Sequence, residues 1–421
     1  MREQRRSRIT HYASRITSMN LLLLTPQLPY PPHQGTSLRN FHIIRGLAAE
    51  HEITLLSFLE EGQTVHNAPL TELCRHIETV RAPARSTAQR LRQLLTTRLP
   101  DMAHRLYRPT FADQLRQLLA TNRFDVVQIE GIELARYLDV IRVASKGVKI
   151  VFDNHNAETE LQRRNMQTDW RQPRRWPAAT YSWVQVGRLA HFERWACESA
   201  DWVTAVSETD KLHLQSLTTH VPISVIPNCI DITEYQDLPL PIPFDLVFSG
   251  KMDYRPNVDA ALWFADEVWP QILAARPFTT WAIVGQKPHA RLERLRDVPG
   301  ITVTGWVADV RPYLAGARVF IMPFRVGSGT RLKLIEAMAA GKPIVSTRVG
   351  AEGFPVVDGR ELVLANSAQE MGTAVLRLLN DPAECTRLGA AARQFAAAYD
   401  WRVVIPKFNQ IYEKLILTAG E

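Results

Sequence analysis

The stretch Arg325–Thr347, "RVGSGTRLKLIEAMAAGKPIVST", runs from a glycine-rich loop into a short apolar helix and then into a β-branched strand. A helix that only fills a core needs no Gly-Ser-Gly-Thr entry; a helix that receives an anion does. The first N–H groups of a helix have no partner inside it and carry the positive end of its dipole. Glycines let a phosphate come close to those groups. Gly327, Ser328, Gly329 and Thr330 form this entry, and Lys333 adds a full positive charge one turn on. Glu336 follows three residues later, and helical side chains lean toward the N-terminus. Its carboxylate is therefore expected to reach the group behind a phosphate, which in a nucleotide is the ribose. The competing reading is an N-capped helix with a surface pair of Lys333 and Glu336. The loop is not a P-loop, because Gly-Lys-Ser/Thr is absent.

Outward from this unit the same alternation continues in both directions. Strands are expected near 20–25, 52–58, 124–130, 148–152, 201–206 and 222–226, and again near 245–249, 279–284, 301–304, 317–322, 343–347 and 361–364. Helical stretches lie between them, which is the pattern of a parallel α/β sheet. Residues 231–245, "DITEYQDLPLPIPFD", carry prolines at 239, 241 and 243 and no regular period, and read as a linker. The expected architecture is α/β, with two doubly wound domains facing a cleft. The expected boundaries are a basic arm or mis-called start at 1–18, a first domain at 19–232, a second at 233–400 and a last helix at 401–421 that crosses back to the first.

Composition narrows the class. With 421 residues, 46% hydrophobic and 22% charged, the chain is globular rather than disordered. Its four cysteines are scattered, with no metal-ligand or disulfide spacing, which fits a reducing cytoplasm. No metal and no cofactor is expected. The net charge of +7 is misleading, since five arginines and one glutamate within 1–18 supply four of those charges. An apolar strand begins at Met19, so translation is expected either to start there or to add a basic arm. No apolar run approaches the roughly 20 residues that span a bilayer. Segments 85–118 and 170–183 combine arginine with leucine or tryptophan. They read either as solvated helix faces or as a basic amphipathic surface that meets anionic lipid. Nucleic acid is not expected, because the arginines are not interleaved with aromatics as in a base-stacking platform.

Three further loops fall at expected strand ends, where doubly wound sheets bind ligands. "GKMDYRPN" puts Lys251 and Arg255 after the first strand of the second half, near the mouth that holds Gly327; solvent-exposed loop cations are the plainer reading. "TPQLPYPPHQGTSLRN" ends in Gly35-Thr36 at a helix start, and it is not GxGxxG, which disfavours a nicotinamide or flavin dinucleotide fold. "IVFDNHNAETE" places His155 just past a strand, where a neutral imidazole accepts a hydrogen bond or acts as a base. Glu130 in "VVQIEGIE" holds the equivalent place on another strand. Either residue has a structural reading as well.

These stretches, with "VTAVSETD", "VIPNCIDITEY", "WAIVGQKP" and "ITVTGWVADVRPYLAGARVFIMPF", resemble glycosyltransferase family 4, whose two-Rossmann architecture is called GT-B. The resemblance spans most of residues 20–415. It implies a metal-independent, retaining transfer of a sugar from a nucleoside diphosphate sugar to an acceptor hydroxyl, in glycan, polysaccharide or glycolipid synthesis. It implies a carbohydrate or lipid-linked acceptor held by the first domain, and a cytoplasmic site, peripheral at the inner membrane face. By match, Glu336 holds the ribose, the 327–330 loop meets sugar and phosphate, and Lys251 and Lys333 face the diphosphate. Gly35 approaches the diphosphate, His155 contacts the donor sugar, and Trp306 and Val307 border the nucleobase. Two departures stand out. The first glutamate of the family's Glu-x7-Glu motif is Ser328 here, and a second cation after Lys251 falls on Asn257, where Arg255 is the expected substitute. A sugar-nucleotide epimerase of the same fold, or a non-enzymatic basic protein that binds membrane or nucleic acid, are the alternatives.

Overall fold

The computed structural model describes residues 18–32, 35–60, 62–64, 69–170, 173–327 and 329–417. Residues 1–17, for which an arm or a late start is expected, and Ser328 lie outside the described residues.

Two parallel sheets organise the chain. The first contains β1 (Asn20–Thr25), β2 (Glu52–Leu59), β3 (His76–Arg81), β4 (Val126–Glu130), β5 (Lys149–Asn154), β6 (Trp202–Ala205) and β7 (Ile223–Val225), in the order β3-β2-β1-β4-β5-β6-β7. The second contains β8 (Phe244–Ser249), β9 (Trp281–Val284), β10 (Ile301–Gly305), β11 (Ala317–Met322), β12 (Ile344–Ser346) and β13 (Val363–Leu364), in the order β10-β9-β8-β11-β12-β13. Both orders reverse direction once, between β1 and β4 and between β8 and β11. Such a reversal opens a crevice at the carboxyl ends of the strands.

The run of four leucines at 21–24 shows why the sheet must be covered on both faces. Successive strand side chains point to opposite sides. Leu22 and Leu24 join a core with Phe111, Leu115 and Tyr137, while Leu21 and Leu23 join another with Ile44, Phe408 and Tyr412. A continuous apolar run is the expected sequence of a doubly covered parallel strand.

Twelve of these thirteen strands were expected from the sequence; β3 was not. It is an edge strand, its residues His-Ile-Glu-Thr-Val-Arg are half buried or exposed, and their polar alternation lacks the apolar density of the central strands. The carboxyl-terminal segment does return to the first sheet. Trp401 N–H donates to the Ile230 carbonyl at 3.0 Å, and the helix Pro406–Leu417 buries Phe408, Ile411, Tyr412 and Leu415 against it. The expected single helix is broken: Trp401–Val404 ends two residues before Pro406, which has no N–H to continue it.

Candidate functional site

The crevice of the second sheet is built by the loops after β8 and β11. Gly250, at φ 152°, ends β8 in a backbone shape that L-residues avoid, and the space beside it is taken. A Cβ there would lie 2.3 Å from the Lys333 Nζ. The Leu332–Ala339 helix thus aims Lys333 at the end of β8. Its ammonium donates to Asn257 Oδ1 at 2.9 Å and lies 5.2 Å from the ring centres of both Phe248 and Phe324. Burial, with Arg331 adding to it, lowers the Lys333 pKa to about 7. Asn257 in turn donates to the Lys251 carbonyl at 2.8 Å. The surface pair of Lys333 with Glu336 that the competing reading called for is absent among the described ion pairs. Instead Glu336 meets the buried Tyr235 hydroxyl, and burial raises the glutamate's pKa against the pull of Lys333.

Arg331 was not anticipated. It stands at the helix entry, stacks 4.6 Å from the Phe324 ring centre, and donates to the Gly329 carbonyl at 3.3 Å and the Val349 carbonyl at 2.5 Å. A Cβ on Gly327 would lie 2.7 Å from its guanidinium. Burial lowers its pKa to about 10. Two expected cations sit differently. Lys251 is exposed, with its ammonium 3.9 Å from Asp253. Arg255 donates at 2.8 Å to Asp169 Oδ1, on the Glu158–Trp170 helix that follows β5. Trp306 projects into solvent, 72% exposed, and Val307 packs partly on the core beside it.

The first sheet presents a charged network at the carboxyl ends of β4 and β5. His155 Nε2 lies 2.9 Å from Glu130 Oε2 and 3.6 Å from Asp153 Oδ2. Burial alone would depress the ring's pKa, but hydrogen bonds and charge from Asp153 and Glu130 raise it to about 9. The two carboxylates thus favour the charged ring, where the sequence suggested a neutral acceptor or base. Burial and the Asp153 charge raise Glu130, to about 7. Asp153 is held well below the usual carboxylate range: its burial is outweighed by Arg39, which clamps both oxygens at 2.8 and 2.9 Å, with His155 assisting. Glu130, Asp153 and His155 bring one ligand atom each within 4.8 Å, as a metal site would. The bidentate Arg39 occupies Asp153, so the cluster is an ion-pair network.

The network continues outward. Gln128 donates to Glu130 Oε1 at 2.5 Å and accepts from the Tyr412 hydroxyl on the carboxyl-terminal helix. Arg39 also donates to the Pro227 carbonyl at 3.0 Å and to Asn228 Oδ1 at 3.2 Å.

From there the two halves meet. Asn228 Nδ2 donates to Thr330 Oγ1 at 2.7 Å. Gly329, at φ 76°, faces Asn156: a Cβ there would lie 2.3 Å from the Asn156 Oδ1. Asn156 Nδ2 donates to Glu158 at 3.1 Å, whose pKa is pushed to about 8 by burial and by Glu133 and Glu193. Gly35, at the start of its helix, lies beside Leu332, 3.7 Å from the Cδ1 for an added Cβ. The structure thus brings Gly35, His155, Glu130, Gly329, Thr330 and Lys333 to facing edges of one cleft. It leaves Lys251 and Trp306 at the rim. Arg39, Asn156, Asn228, Asn257 and Arg331 join the site without having been expected. The sequence held hints for Asn156, last in "DNHN", and for Asn257, which stands where a second cation was looked for.

Residues 34–234 match the family model described as Glycosyltransferase Family 4, and residues 243–381 match that described as Glycosyl transferases group 1. A phosphatidyl-myo-inositol mannosyltransferase of Mycolicibacterium smegmatis is 29% identical over 199 residues, covering 45% of this chain and 51% of that protein. An MMP alpha-(1->4)-mannosyltransferase of Mycolicibacterium hassiacum is 37% identical over 114 residues, covering 26% and 27%. The chain spans about half the length, or less, of the curated relatives it matches. Among solved structures, sucrose-phosphate synthase from Thermosynechococcus elongatus superposes with a TM-score of 0.68 at 18% identity, over 95% of this chain and 100% of that one. The Anabaena protein HepE in complex with UDP and glucose gives 0.63 at 16%, over 94% and 100%. Those likenesses carry the fold, and the two family matches carry the kinship: the chain belongs to glycosyltransferase family 4, the group 1 glycosyl transferases.

Proposed function

We propose that the protein transfers a sugar, with retention at its anomeric carbon, from a nucleoside diphosphate sugar to a hydroxyl of a carbohydrate or lipid-linked acceptor in glycan, polysaccharide or glycolipid synthesis. One observation carries this reading: Lys333, Gly327, Gly329 and Thr330 sit at the switch point of one sheet, and Thr330 and Gly329 meet Asn228 and Asn156 of the other half, the latter next to His155. The bond from the anomeric carbon to the diphosphate oxygen breaks, and the acceptor oxygen bonds on the same face. Its proton passes to the departing diphosphate. Lys333, Arg331 and the loop amides stabilise the charge that grows there; losing one preorganised donor of this kind costs roughly 3–4 kcal/mol of barrier. Glu336, steadied by Tyr235, holds the ribose, with Trp306 and Val307 beside the base. His155 donates to the donor sugar, and Glu130 and Asp153 keep it charged and oriented. Lysine and arginine neutralise the diphosphate, so transfer persists with EDTA present.

The test is calorimetry of UDP, GDP and ADP and their sugars, followed by assays with labelled donors in EDTA and determination of the product's anomeric configuration. Binding of no nucleoside diphosphate removes the reading. Conversion of the donor with no acceptor present makes the protein an epimerase instead.

Peripheral contact with anionic lipid is the finer reading of the first domain's surface. Leu91, Leu95, Trp176 and Trp183 are more than half exposed beside arginines of segments 85–118 and 170–183. No helix among the described residues is long and apolar enough to cross a membrane. Flotation with anionic but not neutral liposomes is the expected outcome; no flotation with either removes the contact.

A further inference from the structure

A second concavity lies outside the cleft described above. It encloses about 400 Å³ between the loop after β3, the Thr87–Thr96 helix and the Asp101–Arg105 helix. That volume falls among pockets that hold small ligands, about 300–1,000 Å³. Its walls include Arg85, Arg92, Arg108, Gln93, His104 and Tyr107, and among the described residues no carboxylate lines it. The arginines are not equivalent. Arg85 is clamped by both oxygens of Asp101 at 3.1 Å and donates to Gln93, so its position is fixed and its charge answered. Arg92 and Arg108 make no ion pair among the described residues; Arg108 reaches only the Arg81 carbonyl, at 3.1 Å. The Tyr107 ring is held by Arg136, 3.5 Å above its centre. The cavity's field is felt by His104, whose pKa is lowered by burial and then by Arg136 and Arg85. Two unanswered guanidinium groups in a concave polar site match a phosphate or carboxylate, which they bind in bidentate fashion.

The place of the cavity ties it to the acceptor. The sheet is parallel throughout, so the carboxyl end of β3, from which Pro83 and Arg85 follow, shares an edge with the ends of β4 and β5. Four strand spacings of ~4.8 Å put it roughly 19 Å from the β5 end that carries His155. The Asp101–Arg105 helix is the wall between them: His104 lines the cavity, and Arg105 pairs with Glu133 at 3.4 Å. Glu133 lies beside Gly131, which borders the His155 ring. We propose that this cavity is an anion subsite for the acceptor, holding a phosphate or carboxylate that the acceptor carries at a distance from its reacting hydroxyl. The inference rests on the transferase reading but stands at a different site.

Calorimetry on the full chain tests it with glucose 6-phosphate, glucuronic acid and neutral glucose, each with UDP, GDP or ADP already saturating the donor cleft. The charged sugars are expected to bind and glucose is not. A charge reversal, Arg92→Glu, on an exposed helical position should weaken the charged sugars roughly tenfold or more, while nucleoside diphosphate affinity stays unchanged. Arg108→Ala should act in the same direction. Vesicles containing phosphatidylinositol, run beside neutral vesicles, show whether the anion is a lipid headgroup: binding lost in the Arg92→Glu protein assigns it there, and binding of soluble sugars alone assigns a free acceptor. The subsite is overturned if no anionic probe binds, if glucose binds as well as its phosphate, or if both variants bind as the parent does. Failure of every nucleoside diphosphate to bind would instead overturn the transferase reading.

Discussion

Lys333 shows how one side chain acquires chemistry from its setting. An ordinary lysine is charged at pH 7, but between two phenylalanine rings and below Arg331 its pKa falls to about 7. An incoming diphosphate restores the charge. Above pH 7 donor binding should therefore take up as much as one proton, seen as a buffer-dependent enthalpy in calorimetry, and donor affinity should fall as pH rises. Below pH 7 the lysine is already charged and the uptake should vanish. Lys333→Met keeps the volume and removes the charge; turnover should drop roughly 10²–10³-fold, whereas Lys251→Ala at the exposed rim should cost less than tenfold. Equal losses in the two variants would return Lys251 to the diphosphate. Glu336→Ala should raise the donor KM by roughly 10–100-fold, since hydrogen bonds to a charged group are worth about 1.5–3 kcal/mol. An unchanged KM for the donor removes the carboxylate from ribose binding.

At the scale of the element, the loop between β11 and the Leu332–Ala339 helix carries the most constraint. Gly329 adopts φ 76°, and a methyl group there would press on the Asn156 side chain. Gly329→Ala should combine backbone strain of roughly 1–3 kcal/mol with a forced separation of Asn156 from the loop. The expected signature is a large loss of donor affinity with a fall of only a few degrees in Tm. A large fall in Tm with intact donor affinity would make the glycine purely structural. The sequence showed this loop plainly, because Gly-x-Gly before an apolar helix is a local pattern. It did not show Arg331 as part of the site, since an arginine at a helix entry has the same local appearance whether it faces solvent or, as here, lies over Phe324.

At the scale of the whole molecule, a buried polar chain links the carboxyl-terminal helix to the cleft. Tyr412, Gln128, Glu130, His155, Asp153, Arg39, Asn228 and Thr330 follow one another through hydrogen bonds or ion pairs. Arg39 is its keystone, nearly inaccessible and paired with an inaccessible aspartate. Arg39→Met leaves Asp153 buried without its bidentate partner, with only His155 and Thr204 beside it, which should cost about 3–5 kcal/mol in urea unfolding. Adding Asp153→Asn should recover a large part of that loss. A double variant no more stable than the single one would show that packing, rather than charge, holds this region.

The sequence by itself determined the alternation of strands and helices and the glycine-rich entry to the Leu332–Ala339 helix, because each is a pattern within about twenty consecutive residues. Tertiary structure alone decided that Lys333 rather than Lys251 lies against the end of β8, that Arg255 is spent on Asp169, and that His155 lies against two carboxylates. Those outcomes depend on burial and on partners more than seventy residues away or on neighbouring strands. The field at a site is a sum over groups that only folding brings together.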